Sequence, residues 1–216
     1  MTAYPITDRT RMRRRANRAT YDRDLIHAIL DEALTASVAA VVEGRPQVQP
    51  MIHVRIGEDI ILHGLGGNRL LSAIAAGGEA CINVMLLDAL VMARRIEDHS
   101  MLYRSATIYG RGEEVTDPQE KAAIMARVFA AIVRSDRIAQ LPPLAPGYLG
   151  GTMIVRVPID EAVGKVNSAV ATSDGAAGVW SGNVRVATGF GPAEPDERTC
   201  TEGLQVPDDI ARYRRA

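Results

Sequence analysis

The chain has 216 residues, 47% of them hydrophobic and 24% charged, enough for one compact domain with a substantial core. A formal net charge of −1 gives the whole molecule no electrostatic pull on nucleic acid or on a membrane surface. No run approaches the roughly 20 apolar residues of a spanning helix, and the N-terminus lacks the apolar stretch of a secretory signal, so a cytoplasmic location is the expectation.

Residues 1–20 read as an arm rich in arginine: Arg9, Arg11, Arg13, Arg14, Arg15 and Arg18. With no apolar periodicity, this arm is either a solvated lead-in or a strap that crosses a partner subunit or lends a cation to an anionic ligand. Thr20 or Asp22 then caps a helix whose Leu25, Ile26, Ile29, Leu30, Ala33 and Leu34 recur at spacings of three and four. Ser37–Val42 and Gln47–Arg55 are predicted strands around the turn Glu43-Gly44-Arg45-Pro46. Gly57-Glu58-Asp59 turns the chain again into Ile60–His63, giving an antiparallel meander.

The stretch Gly64-Leu65-Gly66-Gly67-Asn68 leads into a helix over residues 69–76, closed by Gly77-Gly78. The apolar run Ala80–Ala93 reads as strand with a break at Asp88, and Ser105–Gly110 as another, continued through Arg111-Gly112 with a bulge. Asp117 and Pro118 open the clearest helix, with Met125, Val128, Phe129 and Ile132 on its apolar face. After a proline-rich connector, Thr152–Val157 is the last strand expected. The tail has too many prolines and charges to pack alone. This order suits a mainly β fold with helices, an antiparallel barrel closed by flanking helices, because several connections are too short for the crossovers of a parallel sheet. The domain is expected over residues 21–186, with a C-terminal tail over 187–216.

The segment His63 to Arg69 is the sharpest chemical feature. Its glycines let backbone approach a ligand, Asn68 caps a helix, and the helix N-terminus with the Arg69 guanidinium favours a phosphate. A plain loop before a helix is the competing reading. His63 is a ligand contact, a proton donor or a hydrogen-bonded core residue. Tyr103, Arg104 and Ser105 lead into a strand that either borders a pocket or carries a solvated arginine at an edge. No GxSxG elbow, paired carboxylates or metal spacing stands out, and Cys81 and Cys200 have no CxxC partner, so no metal site is expected. Chemistry carried by a bound cofactor fits these absences.

Several stretches in order resemble the pyridoxamine 5′-phosphate oxidase-like split-barrel family, in its flavin-nucleotide-binding branch that includes nitroimidazole-resistance proteins. They are YDRDLIHAILDEAL, GRPQVQPMIHVR, DIILHGLGGNRLLSAIAAG, LDALVMARRIEDHSMLYRSATIYG, the EK of DPQEKAAIM, and VWSG. The resemblance implies a six-stranded antiparallel split β-barrel and a homodimer with FMN at the subunit interface. It puts Gly64, Asn68 and Arg69 at the FMN phosphate, Met51, Ile52 and His53 beside the isoalloxazine, Arg104 and Ser105 facing flavin across the dimer, and Trp180 near the ring. His63, Tyr103 and Ser105 are the catalytic candidates. The implied activity is an FMN-dependent reduction of a small organic acceptor, with NADH or NADPH as donor. The alternatives are an FMN- or haem-binding module without turnover, with His63 or His99 as haem ligand, and an amine oxidase of pyridoxamine type. Leu70, where a second basic residue would stand, and a C-terminus without Arg-x-His both depart from true pyridoxamine phosphate oxidases.

Overall fold

A computed structural model describes residues 3–133, 136–145, 147–169 and 174–213. Residues 214–216 of the C-terminal departure and 170–173 within the weakly charged stretch Val166–Asp174 lie outside that set. Among the described residues the chain forms β1 (Ala19–Thr20), α1 (Arg23–Glu32), β2 (Thr35–Val42), β3 (Arg45–Ile56), β4 (Asp59–Leu65), α2 (Arg69–Ala75), β5 (Ala76–Met92) and β6 (Ser100–Glu114). They are followed by α3 (Pro118–Val133), α4 (Tyr148–Gly151), β7 (Thr152–Pro158), β8 (Glu161–Asn167), β9 (Gly182–Arg185), α5 (Glu197–Thr201) and α6 (Asp208–Ala211).

The strands form one antiparallel sheet ordered β1-β8-β6-β7-β4-β3-β2-β5-β9, and the β5–β6 pairing closes six of them into a ring. β6 meets β7 at only Glu113 and Glu114, while residues 103–109 pair with β8 instead. The barrel is split at that seam. The β2–β3 hairpin turns on Glu43 and Gly44, both at positive φ, which matches the twist of the flanking strands.

Two helices fill the barrel interior. Asp22 caps α1, accepting from the Leu25 amide at 2.8 Å, and α1 sends Ile26, Ile29 and Leu30 inward. α2 contributes Leu70, Leu71 and Ile74, all at most 2% exposed. It seats so close to the sheet that a Cβ at Gly112 would stand 2.3 Å from Ile74 Cγ2. A second apolar cluster lies outside the ring, where Ile124, Met125 and Val128 of α3 cover Ile61 and Ile154. Asp117 caps α3 as the sequence reading expects, its Oδ1 2.8 Å from the Glu120 amide.

Two expectations need correction. β8 and β9 extend the sheet beyond Thr152–Val157: Gly164 hid β8 by interrupting its apolar pattern, yet a Cβ there would lie 2.5 Å from Thr20 Cγ2. The N-terminal arm is not a solvated lead-in throughout. Tyr4 and Thr10 are buried, Tyr4 donates its backbone N–H to Tyr21, and Arg9 pairs with Glu161 at 2.6 Å. The tail docks on the domain, where Tyr213 donates to the Ile132 carbonyl and stacks edge-on with Phe190 at 4.8 Å.

Candidate functional site

Strand alternation divides the expected flavin contacts into two sets. On β3, Met51 and His53 face the barrel interior at 9% and 3% exposure, while Ile52 faces out. His53 Nε2 lies 3.0 Å from the Leu30 carbonyl oxygen near the end of α1. It packs as a core histidine.

The outward residues line up across the sheet. Thr35 pairs with Ile52, and the β3–β4 ladder sets His53 opposite Leu62, so Ile52 faces His63 one step further on. The β2–β5 ladder, from Ala40↔Ala80 to Ser37↔Asn83, carries Thr35 toward Met85. Met85 pairs with Ser105, and Ser105 with Lys165. One row therefore runs His63, Ile52, Thr35, Met85, Ser105, Lys165. The next outward positions are Pro50, Ser37, Asn83 and Thr107, and further along the strands Val48 and Val41 stand 68% and 65% exposed, while Met85 in the row is half exposed.

His63 sits where this bare face meets the part covered by α3. Burial holds its imidazole below the usual histidine range, and among the described residues its ring has no hydrogen-bond partner. The glycine loop follows immediately. Asn68 Oδ1 accepts from the Leu71 amide at 3.0 Å, and its Nδ2 donates to Gln49 at 3.2 Å. The Gly66 amide donates to the Gly151 carbonyl at 3.0 Å. Gly67 takes φ +88° with no atom within 4 Å of the position a Cβ would fill, leaving the loop open in front. Gly64 has another purpose, because Leu71 Cδ1 occupies the space its side chain would need. The Arg69 and Leu70 amides belong to the first turn, whose N–H groups no helical carbonyl meets.

Arg69 is 61% exposed and pairs with Glu43 at 2.7 Å. An exposed pair of this kind contributes about 0–1 kcal/mol. An anion reaching Arg69 would displace such a partner at little cost.

Arg104 and Ser105 diverge. Ser105 belongs to the outward row, with its Oγ 3.3 Å from the Lys165 carbonyl. Arg104 turns the other way, to Asp88 at 2.7 Å and Glu32 at 2.9 Å, tying the β5 bulge to the end of α1. That hydrogen bonding holds the Glu32 carboxyl below its ordinary range. Tyr103 lies on the outward side under Lys165, whose Nζ is 5.7 Å from the ring centroid. Trp180 is 66% exposed beyond the bulge, far from the glycine loop along β5, with its ring against Gly182.

Thr35, Met85 and Lys165 were not among the expected site residues. Period-two alternation, extended across neighbouring strands, is the signal that finds them. At the other end of the bare face a groove of about 430 Å³ is lined in part by Val41, Pro46, Cys81 and Tyr109. Arg9 closes it from the N-terminal arm, 4.6 Å above the Tyr109 ring and 2.8 Å from Glu79. Among the described residues no three His, Cys, Asp or Glu side chains converge on a metal position, and no helix is long and apolar enough to cross a membrane.

The profile of the pyridoxamine 5′-phosphate oxidase family matches residues 22–166. No curated protein matches the chain. Among solved structures, the flavocytochrome Anf3 from Azotobacter vinelandii shares 29% identity over 97% of this chain and 98% of its own, with a TM-score of 0.86. An FAD- and haem-binding protein from Mycobacterium smegmatis shares 28% identity over 89% and 95%, with a TM-score of 0.81. A 5-nitroimidazole antibiotic resistance protein from Bacteroides thetaiotaomicron has the same fold at 21% identity, over 68% and 86%, with a TM-score of 0.59.

Proposed function

The chain belongs to the pyridoxamine 5′-phosphate oxidase family, and from that membership we propose that it binds a flavin nucleotide on the bare face of its barrel and passes electrons through it as a homodimer. The observation that carries this reading is the continuity of the outward row from His63 to Lys165 with the open glycine loop and Arg69. A sheet face that sets the apolar Ile52 and Met85 among polar side chains, beside a phosphate-favouring loop, suits an isoalloxazine and its first phosphate, the part common to FMN and FAD.

The residues fit that group. Arg69 and the first-turn amides hold phosphate, Ile52 and Met85 offer apolar contact to one ring face, and a second copy closes the other. The flavin supplies hydride and single-electron transfer when bound. This chain's residues orient it, exclude water and manage protons. His63, neutral through burial, accepts or donates a hydrogen bond at a ring edge. Ser105 and Tyr103, the other catalytic candidates, stand on the same face. Arg104, committed to Glu32 and Asp88, positions the strand that carries them.

The test is the visible spectrum of purified protein, with the released flavin identified by chromatography. A yellow protein releasing FMN or FAD is expected, and the released species decides between them. Anaerobic NADH or NADPH bleaches it, and a nitroaromatic or quinone restores the colour. Colourless protein that also refuses added FMN and FAD contradicts the reading. Bound flavin that no donor reduces favours a binding module without turnover.

A second reading adds haem to the flavin. It is supported by likeness over nearly the whole chain to a flavocytochrome and to an FAD- and haem-binding protein, both above 25% identity.

A further inference from the structure

Past the Asp88 bulge, β5 and β6 continue as a ribbon that β9 widens to three strands. Leu90 pairs with Met101 on one side and Val184 on the other. One step on, Met92 pairs with Gly182. The ladder ends at Val91↔Ser100, so Met92 faces His99, whose extended backbone carries on the alternation of Met101 and Tyr103. His99, Met101, Leu90, Met92 and Val184 thus share the outward side, with Trp180 lying over Gly182. Leu90 and Met101 are each 41% exposed, Val184 47% and Trp180 66%. This is a flat apolar platform with an imidazole at its margin.

The histidines sort themselves by their contacts. His27 hydrogen-bonds Tyr4 at 2.7 Å, and His53 is buried against Leu30. His63 has no partner among the described residues to fix its ring. His99 is exposed, and its Nδ1 lies 3.0 Å from the Arg95 carbonyl oxygen. A carbonyl can only accept, so Nδ1 carries the proton and donates, and the Nε2 lone pair points elsewhere. A histidine whose second nitrogen donates to a backbone carbonyl has the orientation and basicity of a metal ligand.

Resting on the haem reading above, we infer that His99 Nε2 would ligate the iron of a haem, with Leu90, Met92, Met101, Val184 and Trp180 of the ribbon offering the macrocycle apolar contact. The platform fits the macrocycle as an apolar surface, and the imidazole fits the iron. It lies beyond the bulge from the row proposed for flavin, so the two groups occupy different stretches of β5 and β6.

The experiment titrates the purified full-length chain with hemin, reading the Soret and visible bands in both oxidation states. Fluorescence of Trp180, the only tryptophan, follows binding. The wild type is expected to give a histidine-ligated spectrum. His99→Ala is expected to lose that signature and to bind hemin more weakly by at least the roughly 10–100-fold that removing an outer-shell partner costs. Added imidazole restores the bands. His63→Ala keeps them. Circular dichroism confirms that both variants fold. If His99→Ala leaves the Soret band unchanged while His63→Ala abolishes it, the assignment to His99 is overturned and the haem reading stands. A wild type that leaves the hemin spectrum as it is without protein overturns the haem reading itself, and the assignment with it.

Discussion

The two outer surfaces of this barrel have similar strands and opposite fates. Over β4 and β7, α3 lays down Ile124, Met125 and Val128, so that Ile61 and Ile154 are 1% and 0% exposed. Over the outer side of β2, β3 and β5 no helix lies among the described residues, and Val41, Val48 and Met85 stand at least half exposed. This bare side, with large apolar residues exposed beside a sealed face, is the surface proposed above for binding. The boundary runs through His63, half under cover and half on the open side.

That contrast is sharpest under mutation. Met125→Ala on the sealed side removes a fully buried side chain and is expected to destabilise the fold by about 2–5 kcal/mol, read by denaturant unfolding. Val48→Asp on the bare side is expected to change the stability of the isolated subunit by about 0.5 kcal/mol or less, yet to convert dimer to monomer and strip the flavin. Equal unfolding penalties from the two would erase the distinction between the surfaces.

Arg69→Gln is expected to weaken flavin binding by about 1.5–3 kcal/mol, the range for a hydrogen bond to a charged group, as measured by fluorescence titration. Glu43→Gln, which releases Arg69 from its present partner, is expected to tighten it by about 1 kcal/mol at most. A Glu43→Gln variant that binds less tightly would place the phosphate elsewhere.

The smallest effect lies at the boundary. Burial depresses the His63 pKa in the fold, so its contribution is fully present above the unfolded value of about 6.5 and is lost as pH falls through the folded one. Unfolding midpoints from pH 7.5 to 5 are expected to show this loss in the wild type and a shallower one in His63→Asn. Parallel profiles would mean that His63 is as solvated as a surface residue.

Much of this was legible in the chain. The caps Asp22, Asn68 and Asp117 and the Glu43-Gly44 turn carry local chemistry that reads directly from residue type, and each is realised. What a single strand does not show is which of its two faces looks outward. Met51, Ile52 and His53 are consecutive, and only the ladder to β2 and β4 separates Ile52 from its inward neighbours. Arg104 and Ser105 divide for the same reason. The docking of Tyr4 and of Arg9 is not legible because their partners, Glu58, Glu79 and Glu161, are remote in sequence and no period announces them.

The most direct measurement is sedimentation velocity of the purified protein recorded at 280 nm and at the flavin band together. Flavin absorbance moving wholly with a dimer, at one flavin per chain, and a colourless monomer for Val48→Asp are the expected results. Flavin travelling with a monomer, or a Val48→Asp variant that stays yellow and dimeric, would contradict the claim that the bare face is where cofactor and second subunit meet.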